Sequence, residues 1–408
     1  MASATTWTNW AGNQSCAPAR IVRPRDEHEI ADAVRSAVDD GLGVRVLGTG
    51  HSFSPVIGTD GALLDLSALA GVMSVDADRS AVTALPATTV GMFGDPLWDL
   101  GFALHNQGDI ATQQIAGAVA TGTHGSGVEL AGLSGMVRAM RLITAAGDVL
   151  DIGADQPDLL HAAQVAIGML GVITRIELEV VPAHRLAERI EHMPYAEVMA
   201  RWDELTASHR HFSFFWLPSE ESAAMYGLAT PAGTTLTDTC YVKIYDLAES
   251  DRPDEETPGR RVDRSYRIYP MEFEPNFHEL EYFVPLDRAV DAVAAMRELM
   301  LGSLPDSVFP MEVRTTAADE AYLSPACGSA TVVISVSGVP GTAYEPYLRA
   351  VDETLRPFSP RVHWGKLHFL TRNQLLERYP AAGDFIETRR RIDPGGVFLN
   401  DHLRPLFA

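Results

Sequence analysis

The sequence predicts a mixed α+β chain of two or three domains, and three features carry that reading. Its 408 residues exceed what one ordinary core organises. Hydrophobic residues at 46% and charged residues at 21% mark a globular chain. The first third alternates helix-like and strand-like segments. The second half mixes short strands with helices, as when helices cover one face of an antiparallel sheet.

Taken in order, Pro24 to Asp40 predicts a helix with Ile30, Ala33, Val34, Ala37 and Val38 on one face. Asp26 with Glu29 three residues on has the form of a capping box. Val44–Leu47 and Ala62–Leu66 predict strands, Val75–Leu85 a hairpin region and Met92–Gly101 a short helix. Met136–Ile152 predicts a hairpin around Ala145-Ala146-Gly147-Asp148. In Ile173–Val181, Ile176, Leu178 and Val180 alternate with charged residues, and Pro182 closes the segment as a domain boundary. Beyond it, strands are expected at Phe212–Leu217, Thr239–Ile244, Glu281–Val284, Phe309–Arg314 and Thr331–Ser337. Helices are expected at Tyr195–Ser208, Leu286–Met300 and Tyr344–Leu355, and an exposed loop at Asp246–Arg264.

A net charge of −22 argues against nucleic acid or an anionic membrane surface as partner. Cys16, Cys240 and Cys327 lie far apart, with neither a disulfide framework nor zinc spacing, so no metal is expected. Without a basic, apolar leader at Met1–Thr6 or a long apolar run, the expectation is a soluble cytoplasmic protein. The sequence leaves the oligomeric state open, and a monomer is compatible with it.

Two loops carry the functional signal. Val44–Leu47 runs into Gly48-Thr49-Gly50-His51-Ser52, and a second segment reads Thr121-Gly122-Thr123-His124-Gly125-Ser126-Gly127. Glycines admit a ligand close to the backbone, and loop N–H groups can cradle phosphate. Phe53 stands where a Rossmann fingerprint needs its third glycine, and Pro55 stops a following helix. Each loop alone is also what an ordinary turn looks like; the pair points to a phosphorylated cofactor. Glu312 and Arg314 share a strand face, a geometry that suits either an exposed ion pair or a clamp for hydroxyls. Ser335 and Ser337 alternate on one strand, and His363-Trp364-Gly365-Lys366 gathers cationic-capable groups. Asp109, after Gly108, reads equally as a turn cap.

With these motifs in place, from Thr8-Asn9-Trp10-Ala11-Gly12-Asn13 through both loops to Glu312-Val313-Arg314-Thr315, Leu323-Ser324-Pro325-Ala326, His363–Lys366 and Asp393–Asn400, the sequence resembles a known group. It is similar over nearly its whole length to the FAD-linked oxidases of the vanillyl-alcohol-oxidase fold, in particular the alditol and aldonolactone oxidases. The resemblance implies a two-subdomain FAD-binding domain over residues 1–183. It implies an α+β substrate (cap) domain with an antiparallel sheet over 184–363, and a return to the FAD domain over 364–408. His51 matches the histidine that carries FAD covalently. Val46, Leu47, Gly48, Thr49, Gly50 and Ser52 match the pyrophosphate loop. Gln114, Gly117, Thr121, Gly122, Thr123, His124, Ile173 and His363 match further cofactor contacts. Glu312, Arg314 and Lys366 match catalytic positions, and together with Asp109, Ser335 and Ser337 they match the substrate pocket. The implied reaction moves a hydride from a carbohydrate-like alcohol to flavin N5, with reoxidation by O2 to hydrogen peroxide. Lys366, neutral in a dry pocket, is the expected general base. An aldonolactone oxidase or dehydrogenase is the alternative.

The chain departs from the alditol-oxidase pattern. Asp109 replaces a small hydroxyl residue, Ser335 a histidine and Ser337 a threonine, while Gly338 stands where an indole is expected. These changes predict a larger pocket with an added carboxylate, suited to a larger polyol, a sugar or nucleoside-type alcohol, or an amine paired with Asp109. Gly108 matches a small residue associated with oxygen access.

Overall fold

The computed structural model describes residues 6–228, 233, 235–249, 251–271, 276–302 and 309–408. Residue 250, inside the predicted loop, and residues 1–5 of the predicted leaderless start lie outside the described residues.

A small parallel sheet of three strands comes first, in the order Arg20–Val22, Ala62–Asp65, Val44–Leu47. The helix Glu27–Asp39 covers it, with Ile30, Val34 and Ala37 packed against Val44, Ala62 and Leu64. Val38 was expected on this face but is exposed, at the edge of the apolar stripe. Asp26 accepts from the Glu29 N–H at 2.8 Å, whereas the Glu29 carboxylate reaches back past it to the Arg25 N–H. Only half of the predicted capping box therefore forms, because the Arg25 guanidinium draws the carboxylate outward.

A five-stranded antiparallel sheet follows, in the order Val149–Ile152, Val137–Ile143, Val172–Glu179, Ala81–Ala84, Val72–Asp76. The hairpin and the alternating strand of the sequence reading lie side by side in it.

The third layer is a nine-stranded antiparallel sheet. Its order is Glu255–Thr257, Arg260–Arg264, Arg185–Pro194, Thr239–Leu247, His211–Leu217, Met311–Thr316, Thr331–Gly338, His278–Pro285, Arg361–Val362. Side chains on a strand alternate between faces, so register sorts this sheet into two chemistries. One row across it reads Val242, Phe214, Val313, Ile334, Tyr282 and belongs to the apolar core with the helices Ala289–Gly302 and Glu345–Leu355. The neighbouring row reads Tyr241, Phe215, Glu312, Ser335, Glu281 and presents polar groups to the opposite side.

Two expectations are corrected in this layer. The segment Asp246–Arg264 is not simply a loop. Its second half is the hairpin Glu255–Thr257/Arg260–Arg264, pinned by Arg261 on buried Glu188 at 2.6 Å. Glu188 sits on Arg185–Pro194, a strand that charged residues and a terminal proline disguise in the sequence. The helix expected at Tyr195–Ser208 is two, Tyr195–Ala200 and Trp202–Ser208, because Arg201 leaves helical geometry at φ −107.

The segment Asp393–Asn400 packs back onto the first sheet. Buried Asp393 accepts from the N–H groups of Val397 and Phe398, and Gly396 turns at φ 63. The Val44 N–H then donates to Val397 at 2.8 Å, and Asn400 donates to the carbonyls of Pro55 and Gly58. Among the described residues, no helix is long and apolar enough to cross a membrane.

Burial holds several histidines neutral. His211 and His368 are pushed down to about 3, and His184 and His402 to about 4, chiefly by loss of water. Both ring nitrogens of His368 are buried without a hydrogen-bond partner. The folded pKa values lie below the unfolded value of about 6.5, so the neutral-histidine contribution is whole above that pH. It is lost as pH falls toward the folded values. Urea midpoints are therefore expected to drop steadily between about pH 6.5 and pH 4. His368→Gln should make that slope shallower by up to about one proton; an unchanged slope counts against this origin.

Candidate active site

A cavity of ≈ 680 Å³ lies between the polar face of the large sheet and the two glycine loops. The structure brings most of the predicted site residues to its wall. Val46, Leu47, Gly48, Thr49, Gly50, His51 and Ser52 line one side. Gln114, Gly117, Thr121, Thr123, His124 and Ile173 line another, with His363. Asp109, Glu312, Arg314, Ser335 and Lys366 close it from the sheet side. Two predicted residues stand back. Gly122 ends the helix Ile115–Thr121 in the left-handed conformation at φ 79, facing Pro325. Ser337 is buried and accepts from the Tyr226 hydroxyl at 2.6 Å, so it reaches the cavity only through that tyrosine.

The first loop is built to receive acceptors. Gly50 adopts φ 75, and its carbonyl accepts from Trp10. Among the described residues, the N–H groups of Thr49, Gly50, His51 and Ser52 donate to no protein acceptor. Thr123 Oγ1, on the second loop, is buried with no partner. Thr49 is exposed, but Gly50 is buried and His51 and Ser52 are half-buried; buried donors are normally satisfied, so the unpaired groups of Gly50, His51, Ser52 and Thr123 fit a ligand rich in phosphate and carbonyl oxygens. His51 sits at the same rim, its Nε2 3.1 Å from Thr112 Oγ1 and its ring 5.3 Å from that of Trp10. Burial, and then the charge of Lys366, hold its pKa below the usual histidine value.

The charged groups form linked pairs. Arg314 donates to Glu312 at 2.7 Å and to Asp109 at 2.6 Å, and Lys243 stands 3.7 Å from Asp109. Burial raises the Glu312 pKa despite Arg314. Asp109, although buried too, is pulled below its ordinary value by Arg314 and Lys243. The expectation that Asp109 awaits a substrate amine meets a carboxylate already matched by two cations. Lys366 donates to Glu279, whose other oxygen accepts from Ser335 at 2.5 Å. The Lys366 amine, the expected general base, thus stands against a carboxylate. Glu281, two residues along the same face, lies 3.1 Å from His124 Nε2. Burial alone would raise its pKa, but Lys366 and His124 bring it well below the carboxylate range. Beside it His363 is pushed down to about 3 by burial, and its Nδ1 accepts from Gly365.

Glu279, Glu281 and Lys243 were missed in the sequence. The signal was there in His278-Glu279-Leu280-Glu281-Tyr282, whose alternation puts both glutamates opposite the core-facing Leu280 and Tyr282. The predicted strand began one pair too late to show it. The expected enlargement at Gly338 does not occur, because the ring of Tyr344 fills the space a side chain there would take. Gly108 is small for a packing reason: a Cβ there would meet the His124 carbonyl oxygen at 2.9 Å.

Comparison with known proteins identifies the family. A family model described as D-arabinono-1,4-lactone oxidase matches residues 176–241 and 250–406, and one described as an FAD binding domain matches 18–153. The chain is 34% identical to an L-gulono-1,4-lactone dehydrogenase of Mycobacterium tuberculosis, covering 98% of each. It is 31% identical to an alditol oxidase of Streptomyces sp., covering 98% of this chain and 99% of the other. In fold it resembles the solved cholesterol oxidase of B. sterolicum, with a TM-score of 0.84 at 13% identity over 99% of this chain and 96% of that one.

Gly125, on the second loop, packs so closely on Asn106 and Gln107 that one methyl group tests the contact. A Cβ on Gly125 would overlap the Gln107 carbonyl and the Asn106 side chain, whereas a Cβ on Gly117 meets nothing within 4 Å. Gly125→Ala is expected to cost about 1–3 kcal/mol in a thermal or urea melt. Gly117→Ala should leave the fold intact. Equal melting of both variants would show that the loop contact is not tight.

Proposed function

The chain belongs to the D-arabinono-1,4-lactone oxidase family of FAD-linked oxidoreductases, and from that premise we propose that it oxidises a hydroxyl group of a polyol, sugar or related carbohydrate-like alcohol, with O2 as acceptor. The observation that carries the proposal is the convergence of Asp109–Arg314–Glu312 and Lys366–Glu279–Ser335 on the cavity that also holds the orphaned loop donors. Flavin halves at 1–183 and 364–408 and a cap at 184–363 remain the division we adopt, with the protein working in the cytoplasm.

FAD when bound supplies a hydride acceptor at N5 and passes the electrons to oxygen, giving hydrogen peroxide. Val46–Ser52, Gln114, Gly117, Thr121, Thr123, His124, Ile173 and His363 would hold it. The neutral His51 imidazole has the lone pair that a covalent bond to the flavin requires. Arg314, oriented by two carboxylates, offers a fixed positive charge to the oxygen that becomes negative as its proton leaves. Among the described residues its Nη1 donates to no protein acceptor, which leaves it for substrate. Lys366 gives one proton to Glu279 and takes the proton of the reacting hydroxyl in its place, so the proton ends on Glu279 and the amine is left as it began. Ser335 holds the Glu279 carboxylate in place.

The family model and the higher identity favour a second reading, an aldonolactone oxidase or dehydrogenase. Peroxide release across alditols, sugars and aldonolactones, with dye reduction measured beside it, separates the two. Turnover confined to lactones, or to dye without peroxide, would replace the first reading.

Two outcomes are expected of variants. Colour should survive acid precipitation in the parent protein and be released from His51→Ala; acid-released colour in the parent defeats the covalent bond. Glu279→Gln should slow anaerobic flavin reduction about 100-fold or more with a small change in KM. A normal reduction rate would rule Glu279 out as the proton acceptor.

A further inference from the structure

Among the described residues, three cationic side chains other than histidine line the cavity: Arg45, Arg314 and Lys366. Arg314 and Lys366 are matched by carboxylates. Arg45 is not. It is 6% exposed and makes three hydrogen bonds, all to backbone carbonyls: Nε to Val56 at 2.8 Å, Nη1 to Phe398 at 2.7 Å and Nη2 to Ile167 at 2.8 Å. Among the described residues it has no ion pair. Burial lowers its pKa to about 10, with no carboxylate opposing the shift.

Carbonyl dipoles satisfy the hydrogen bonds of a guanidinium without cancelling its charge, and an unmatched buried charge is costly. The position gives that charge a purpose. Arg45 lies on the strand that delivers the first glycine loop, three residues before Gly48. The donors of that loop are orphaned. Four carboxylates also line the cavity, Asp109, Glu279, Glu281 and Glu312, so an anion entering it has few places to go.

We infer that Arg45 is the counter-ion of the cofactor's pyrophosphate, and that it ties cofactor binding to the closure of three separate segments. The inference rests on the FAD reading and adds to it the residue that makes phosphate, rather than the flavin ring, the group recognised at this end. When the dianion binds, the positive charge gains a partner. The carbonyl contacts to Val56, Ile167 and Phe398 then hold the loop, the Ile167 turn and the returning segment in one arrangement.

The test uses the full-length chain carrying His51→Ala, in which flavin binds reversibly, with FAD, riboflavin, ADP and adenosine as probes. Binding is read by flavin fluorescence and by the shift in Tm. FAD and ADP are expected to stabilise this parent more than riboflavin and adenosine do. Adding Arg45→Met should weaken FAD and ADP about 10- to 100-fold and leave riboflavin unchanged. Adding Arg45→Lys, which keeps the charge and loses the fork, should retain most of the FAD affinity. Equal shifts by ADP and adenosine in the parent would overturn the inference even if Arg45→Met fails to fold. So would equal weakening of FAD and riboflavin by both substitutions, the signature of a purely structural clip. A parent that binds neither FAD nor riboflavin would instead overturn the FAD reading itself.

Discussion

Charges taken out of water must be answered nearby, and that requirement organises the interior of this protein. Asp109 and Glu312 flank Arg314, Glu279 faces Lys366 and Glu281 faces His124. Apart from Glu312 and Arg314, neighbours on one strand, the links join segments far apart in the chain; Asp109 and Arg314 are 205 residues apart, His124 and Glu281 157. Removing one member would leave the other buried and unmatched, which costs more than the pair contributes. The same links that stabilise the cavity therefore fix the side chains that face the substrate.

The large sheet makes this possible through strand alternation. Phe214, Val313, Ile334 and Tyr282 close a dry core with the helices, while Phe215, Glu312, Ser335 and Glu281 face the cavity from the same four strands. A change of register by one residue would exchange the two rows and bury the carboxylates in hydrocarbon. Core packing and site geometry are thus enforced by one constraint, and the apolar face keeps the polar face in order.

The parts of this arrangement that were legible in the sequence are local. The helix of residues 27–39 shows its apolar stripe, and the Gly48–Ser52 and Thr121–Gly127 loops show glycines and hydroxyls behind apolar segments. Family resemblance supplied the other site residues only as expectations, and the structure gathers most of them at one cavity. What stayed hidden depends on pairing across the chain. Glu279 and Lys243 look like ordinary charged residues of strands until Lys366 and Asp109 are placed against them. Arg185–Pro194 reads as a polar connector because its charged residues are answered by partners elsewhere, as Glu188 is by Arg261. The space left by Gly338 was visible, but not that Tyr344 would occupy it.

The contact between Arg45 and the Phe398 carbonyl spans 353 residues of sequence. On a ribosome, the strand and loop that begin the cofactor site emerge long before the segment that completes it. Asp393, Gly396 and Asn400, which shape that segment, act on a site whose other walls already exist. Cofactor capture in its final form consequently waits until residues 393–400 have been made, more than 340 positions after the loop of residues 48–52.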